Sequence, residues 1–225
     1  SDLGTLATAI TNNEFANDTG ITTIGVSDTT IDATTLATRI DSYDTINGSG
    51  TTEITLASGA IINVDADEIA AMLADETAGR LTITDQKITV TNAITVDTAN
   101  LLTATTTGVV TGTIVSTESI TELATLNADG GTNALKITIP SGDAHAHQLS
   151  IINAATSLDV DESAVTLITG QAIEIVSLYG STGITGLGNE ILSISDEISV
   201  DQANVIDALT TGTVTASIDT SERVN

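Results

Sequence analysis

ITVDTANLLTATTTGVVTGTIVST, residues 94–117, holds the whole local pattern of this chain. Ile94 and Val96 alternate with a polar residue, as at the end of a half-buried strand. Asp97 then stands where a helix N-cap belongs, its carboxylate able to accept the unpaired N–H groups of a first turn. Leu101 follows four residues on, so the next segment presents an apolar side at helical spacing. Gly108 marks a stop, and VVTGTI (109–114) returns to strand-like alternation.

The pattern recurs along the chain. INVDADEIAAML (62–73), LDVDESAVTLIT (158–169) and ISVDQANVIDAL (198–209) repeat it closely, and DLGTLATAI (2–10), DATTLATRI (32–40) and SITELATL (119–126) repeat its helical half. Capping residues fall at Asp2, Asp32, Asp65, Asp97, Ser119, Asp161 and Asp201, the first four 30, 33 and 32 residues apart. Gly20, Gly50, Gly79 and Gly108 precede strand-like segments and are 30, 29 and 29 apart, so two markers share one period. Asp65, Asp97, Asp161 and Asp201 are each expected to begin a short helix. Asp65 with Glu68 and Ser119 with Glu122 match a capping box. Ile24, Ile54, Ile83, Gly112 and Ala216 are expected to point inward, and Thr23, Glu53, Thr82, Thr111 and Thr215 outward.

Helices this short do not hold alone and must dock on a sheet. A helix layer needs about 10 Å per unit, and paired strands lie about 4.8 Å apart. Two strands per helix would therefore match the layers, and KITVTNAITV (87–96) and EILSISDEISV (190–200) supply second strands. The expected fold is an α/β repeat: a β-rich, solenoid-like array of strands with short Asp-capped helices packed on one side. It is expected to run as a single array over residues 1–225, with units starting near 2, 32, 65, 97, 119, 161 and 201 and loop insertions near 140–156 and 178–190.

Composition narrows the function. Thirty Asp and Glu stand against five Lys and Arg, a net charge of -25, and 43 residues are Thr. Lys87, Lys136, Arg39, Arg80 and Arg223 are scattered, which argues against nucleic acid and anionic membranes. No apolar run approaches a membrane span. The apolar fraction of 40% suffices for a core, so the acidity does not imply disorder. No cysteine is present, and no disulfide scaffold is expected.

Segments 94–117, 116–126 and 198–219 resemble the repeats of large bacterial exported surface proteins, cyanobacterial or proteobacterial, S-layer-like or adhesin-like. The resemblance implies an extracellular, cell-surface structural role and no catalytic activity. The calcium nonapeptide with its GG-x-G-x-D core is not matched, since Gly130 and Gly131 lack the rest of that pattern.

Four constellations are candidates for chemistry. Asp143, His145 and His147 alternate, and on an extended segment they would share one face and meet a divalent transition metal. The competing reading is an exposed loop after Pro140, Ser141 and Gly142. Structural Ca²⁺ is a second expectation, drawn from the carboxylate excess, with Asp41, Asp44, Asn127 and Asp129 as oxygen sources. The pairs Thr82/Thr84 and Thr111/Thr113 suggest a Thr rank for ice, although Thr is also favoured on exposed strand faces. Asn17 and Asn47 stand in glycosylation sequons. No nucleophile motif or phosphate loop is visible, and the chain is expected not to be an enzyme. The expected function is a structural module or subunit that self-associates end to end into a filament or surface layer, its partner being itself. An adhesin-type or ice-binding module is the alternative. The chain opens on the helix motif Asp2–Ile10 and closes on TVTASID followed by TSERVN, with no visible cap, so strand edges at its ends are expected to be uncovered.

Overall fold

Most helices are preceded by two strands that a short connection sends into different sheets. Between 56 and 61 the connection closes with the Ala60 N–H on the Ala57 carbonyl at 3.1 Å. Gly59 sits there at φ +66°, a position that only glycine adopts freely. The structure, a computed structural model, describes residues 2–11, 23–47, 53–128, 132–219 and 221. The Asn17 sequon, residues 48 and 49 of the second sequon, Gly20, Gly50, Asp129, Gly130 and Gly131, and the side chains of Asp2, Ile10, Asp44 and Asn47, lie outside what is described. Two compact units divide the chain. One runs up to Ile94 and includes Thr98–Thr113; the other holds Thr95–Asp97 and the chain from Ile114 on.

The first unit contains α1 (Asp2–Thr11), β1 (Thr23–Val26), β2 (Thr30–Asp32), α2 (Ala33–Asn47), β3 (Glu53–Leu56) and β4 (Ile61–Val64). A 3-10 turn, Ala66–Glu68, leads into α3 (Ile69–Thr77), then β5 (Leu81–Thr82), β6 (Lys87–Ile94), α4 (Val96–Thr105) and β7 (Val110–Ile114). Strands β1, β3 and β5 form one sheet, while β2, β4, β6 and β7 are successive neighbours in another. The described pairings are parallel, with Ile31, Ile62 and Ile88 in one register row. These three are at most 2% exposed, and Leu36, Ile40, Met72 and Leu102 of the helices are buried with them. Parallel strands need a crossover of a dozen or more residues, which each strand–helix repeat supplies.

The second unit contains α5 (Ile120–Leu123), β8 (Ala134–Lys136), β9 (Gly142–His145), α6 (Ala146–Ala154), β10 (Val160–Asp161) and β11 (Val165–Gly170). It continues through α7 (Ala172–Tyr179), β12 (Ile184–Thr185), β13 (Ile191–Ile198), α8 (Val200–Asp207) and β14 (Val214–Ile218). The sheet order is β14-β13-β11-β9, with β10 and β12 paired separately. Ala144, Ile168 and Leu192 form its central register row and are almost fully buried.

The expected β-rich solenoid-like array is corrected. The described residues form an α/β structure of eight helices and four mostly parallel sheets, with more residues in helix than in strand. Two features account for the difference. The paired strands divide between sheets, so the one-sheet spacing of two strands per helix does not operate. A helix also forms where a loop insertion was expected near 140–156, since α6 buries Ala146, Leu149 and Ile152, and α7, for which no helix was expected, buries Ala172, Ile175 and Leu178, each at three-residue spacing. Their first turns follow His145 and Gln171, outside the Val-Asp pattern that served as the marker.

The expected caps divide three ways. Asp65 caps the turn into α3, its side chain accepting from the Asp67 N–H, with Glu68 completing the capping box. Asp97 and Asp201 lie one residue inside α4 and α8, and Ser199 caps α8, accepting from the Gln202 N–H at 3.1 Å. Asp161 begins no helix. Its carboxylate accepts from the Ser163 hydroxyl at 2.7 Å and N–H at 3.1 Å, and the chain resumes as β11. Val165, Thr166, Ile168 and Thr169 are β-branched, which favours that strand. Between β3 and β5, Thr55 pairs with Thr82 and Ile54 with Leu81. Ser119 caps α5 through the Glu122 N–H at 3.2 Å, as expected. Ser119→Ala is expected to lower stability by about 1 kcal/mol in denaturant titration.

The glycine stops follow a shared polar clip. The Thr106 hydroxyl donates to the Gln86 carbonyl at 2.6 Å and accepts from the Gly108 N–H at 2.9 Å. Thr210 repeats this with the Glu190 carbonyl at 2.7 Å and the Gly212 N–H at 2.9 Å. Thr156 repeats it with Leu135 at 2.7 Å and Leu158 at 3.1 Å. Each clip ties the chain after a helix to the preceding repeat, satisfying backbone groups that would otherwise be buried unpaired.

Candidate functional site

Strand β14 is where packing stops within the second unit. Among the described residues it pairs with β13 on one side and ends the sheet on the other. Ile198 and Ile218 are register partners, yet Ile198 is 1% exposed and Ile218 is 40% exposed. Val214 and Ala216 are half-buried and Thr215 is exposed, although Leu192 and Ile194 on the neighbouring strand are buried. Helix α8 buries only Ile206, whereas α6 and α7 bury three residues each. An open strand edge offers a row of backbone donors and acceptors for another strand, and here an incompletely covered apolar side accompanies it.

The sequence-derived metal candidates are separated by a change of element. Asp143 is exposed on β9, and His145 is the last residue of that strand. His145 caps α6, its Nδ1 accepting from the His147 N–H at 3.2 Å, while His147 lies in the first turn of the helix. The two-residue strand repeat thus ends at His145. Among the described residues, no three His, Cys, Asp or Glu side chains are grouped to hold a metal ion. Asp41 lies on α2 and pairs with Arg80 at 3.3 Å. Thr82 is on β5, and Thr111 and Thr113 are on β7, in different sheets.

A buried acidic pair in the second unit has no counterpart in the motif reading. Glu162, just after β10, is 0% exposed, and neither of its carboxyl oxygens meets a hydrogen-bond partner. Burial, then the charge of Glu190, pushes its pKa up to about 8. Glu190, before β13, is 1% exposed. It accepts from the Tyr179 hydroxyl at 2.5 Å and the Gly188 N–H at 2.9 Å. Burial raises the Glu190 pKa, but these donors outweigh it and hold the carboxyl below its usual value. Burial, then the bond to Glu190, raises the Tyr179 pKa. At neutral pH the pair therefore carries one charge, with the proton held on Glu162. Gln86 takes the equivalent place before β6, its side chain accepting from the Thr84 N–H at 2.7 Å and donating to the Ala57 carbonyl at 3.1 Å. The correspondence of Thr-Asp-Gln (84–86) with Gly-Asn-Glu (188–190) is a sequence signal that could have located the pair.

No helix among the described residues is long and apolar enough to cross a membrane. Comparison with known proteins assigns no family, because neither a family model nor a curated protein matches the chain.

Proposed function

We propose that this chain is a non-enzymatic structural protein of the bacterial cell exterior, a module or subunit that associates with copies of itself end to end. The observation that carries this reading is the β14 edge, where Ile218 is left 40% exposed opposite a buried Ile198. VTASI (214–218) bears no charge, so a second copy meets no like charge on the strand itself. In the first unit, β2 ends its sheet as β14 does in the second, and both sheets are parallel. A copy presenting β2 to β14 would extend the backbone ladder and bury apolar area at about 25 cal/mol per Å². Because the two edges differ, the contact is heterologous, and it gives an open polymer unless the rotation closes a ring. The high Thr content and strong acidity suit an exposed surface role, and the negative charge opposes lateral aggregation.

Light scattering and negative-stain microscopy across protein concentration test the proposal, with and without Ca²⁺. Linear polymers are expected for the native chain, and a Thr215→Glu/Ile218→Glu variant is expected to remain monomeric. A native chain that stays monomeric under all conditions, or a variant that polymerises equally, overturns the reading.

A further inference from the structure

Helices α7 and α8 form an apolar groove of ≈ 380 Å³, lined by Ala172, Ile173, Val176, Asp201, Val205 and Ile206. Ile173 is 74% exposed, Val205 52% and Val176 41%, so the floor is apolar surface facing water. Its rim is acidic. Asp201 lines the groove, and Glu174, whose carboxylate also accepts from the Gln171 N–H at 2.9 Å, lines the adjoining hollow that Ile173 shares with His147. Neither helix carries Lys or Arg, and Lys136 is the one Lys or Arg between 114 and 219, beside His145 and His147, against fourteen Asp and Glu.

The first unit repeats the arrangement. Leu101 of α4 holds the motif place of Val205, four residues after Asp97 as Val205 is after Asp201. It is 54% exposed and lines a groove with Ala70, Leu73 and Glu76 of α3. Packing on the sheet requires Leu102 and Ile206, which are fully buried, and does not require an apolar residue one place earlier.

We propose that the α7/α8 groove docks a basic amphipathic helix of a partner protein. Its apolar residues seat on Ile173, Val176 and Val205, and its Lys or Arg side chains face Asp201 and Glu174. Charge selects this occupant. A second copy would bring acidic helices of the same sign, and like charges brought together at an interface oppose association. A basic helix with apolar residues at i, i+3 and i+7 matches both the floor and the rim.

The probe is a fluorescein-labelled Leu/Lys peptide about four turns long, with Leu at that spacing. Two comparison peptides keep its length, one replacing Lys with Glu and one replacing Leu with Ser. Anisotropy at physiological salt reads the affinity for the full chain. The Leu/Lys peptide is expected to bind, and both comparison peptides to bind at least about tenfold more weakly, a difference of 1.4 kcal/mol. Ile173→Ser/Val205→Ser is expected to weaken the Leu/Lys peptide by a similar factor. These two side chains are exposed, and an unchanged melting curve would show that the variant stays folded. Ile218→Glu is expected to leave peptide binding unchanged. Equal binding to native and double-variant protein would mean bulk attraction to a polyanion and overturns the proposal. Equal binding of the Leu/Glu peptide overturns the charge selection. Loss of self-association in the Ile173→Ser/Val205→Ser variant would make a second copy the occupant and also overturn it.

Discussion

From about pH 4.5 to pH 8 the second unit is expected to lose stability as pH rises, and Glu162→Gln is expected to remove that loss. The Glu162 carboxyl is raised from 4.5 to about 8 in the folded chain. In that window the folded state keeps a proton that the unfolded state has released, so stability falls with pH and this contribution levels off above 8. The full difference is on the order of 5 kcal/mol for a group with no exposed surface. Glu190 and Asp161 are lowered instead, so their stabilisation is present above the unfolded carboxyl range and is lost as pH falls through their folded values. The alkaline limb therefore belongs to Glu162 and the acid limb to its neighbours. A Gln amide does not titrate. The variant is expected to exceed the native chain at pH 9 by a few kcal/mol and to match it or fall slightly below at pH 5. Denaturant titrations at pH 5, 7 and 9 provide the check. Parallel pH slopes for the two proteins would mean that Glu162 does not hold the proton.

Gly108→Ala and Gly212→Ala are expected to be comparably damaging, for a steric reason. A Cβ at Gly108 would lie 2.3 Å from the Gln86 carbonyl oxygen, and one at Gly212 would lie 2.2 Å from that of Glu190. The obstructing atoms are backbone, and each belongs to the carbonyl that the Thr106 or Thr210 clip holds in place. Relief requires separating two repeats, at a cost of about 3 kcal/mol. Gly79→Ala serves as the comparison. Gly79 has φ +70°, and a Cβ there would meet no atom within 4 Å, so the cost is conformational only, about 1 kcal/mol. Thermal melts of the three variants should place Gly79→Ala well above the other two. Equal melting temperatures would show that close approach at Gly108 and Gly212 does not set the cost of substitution there.

The 29–30-residue glycine period was legible because it is counted directly along the chain. The capping boxes at Asp65 and Ser119 were legible because both partners lie within four residues. The same rule failed at Asp161, where Ser163 offered the carboxylate a nearer partner and β-branched residues carried the chain into β11. It also missed α6 and α7, whose caps are His145 and Gln171, residues with no strong N-cap preference.

The sequence by itself determined the repeat, the positions of β1, β3, β6, β7, β13 and β14, and the excess charge, since these rest on local periodicity and counting. Only the tertiary structure decided which sheet each strand joins. The Gly59 turn separates β3 from β4, and partner choice depends on residues some thirty positions away. It alone decided that Glu162 and Glu190 are buried together, because burial is set by the chain that covers a residue and not by the residue itself. It also left Ile218 and Val205 exposed where their repeat counterparts suggested a core strand and an ordinary helix face. Exposure of an apolar side chain records the absence of a covering neighbour, and a local pattern does not encode it.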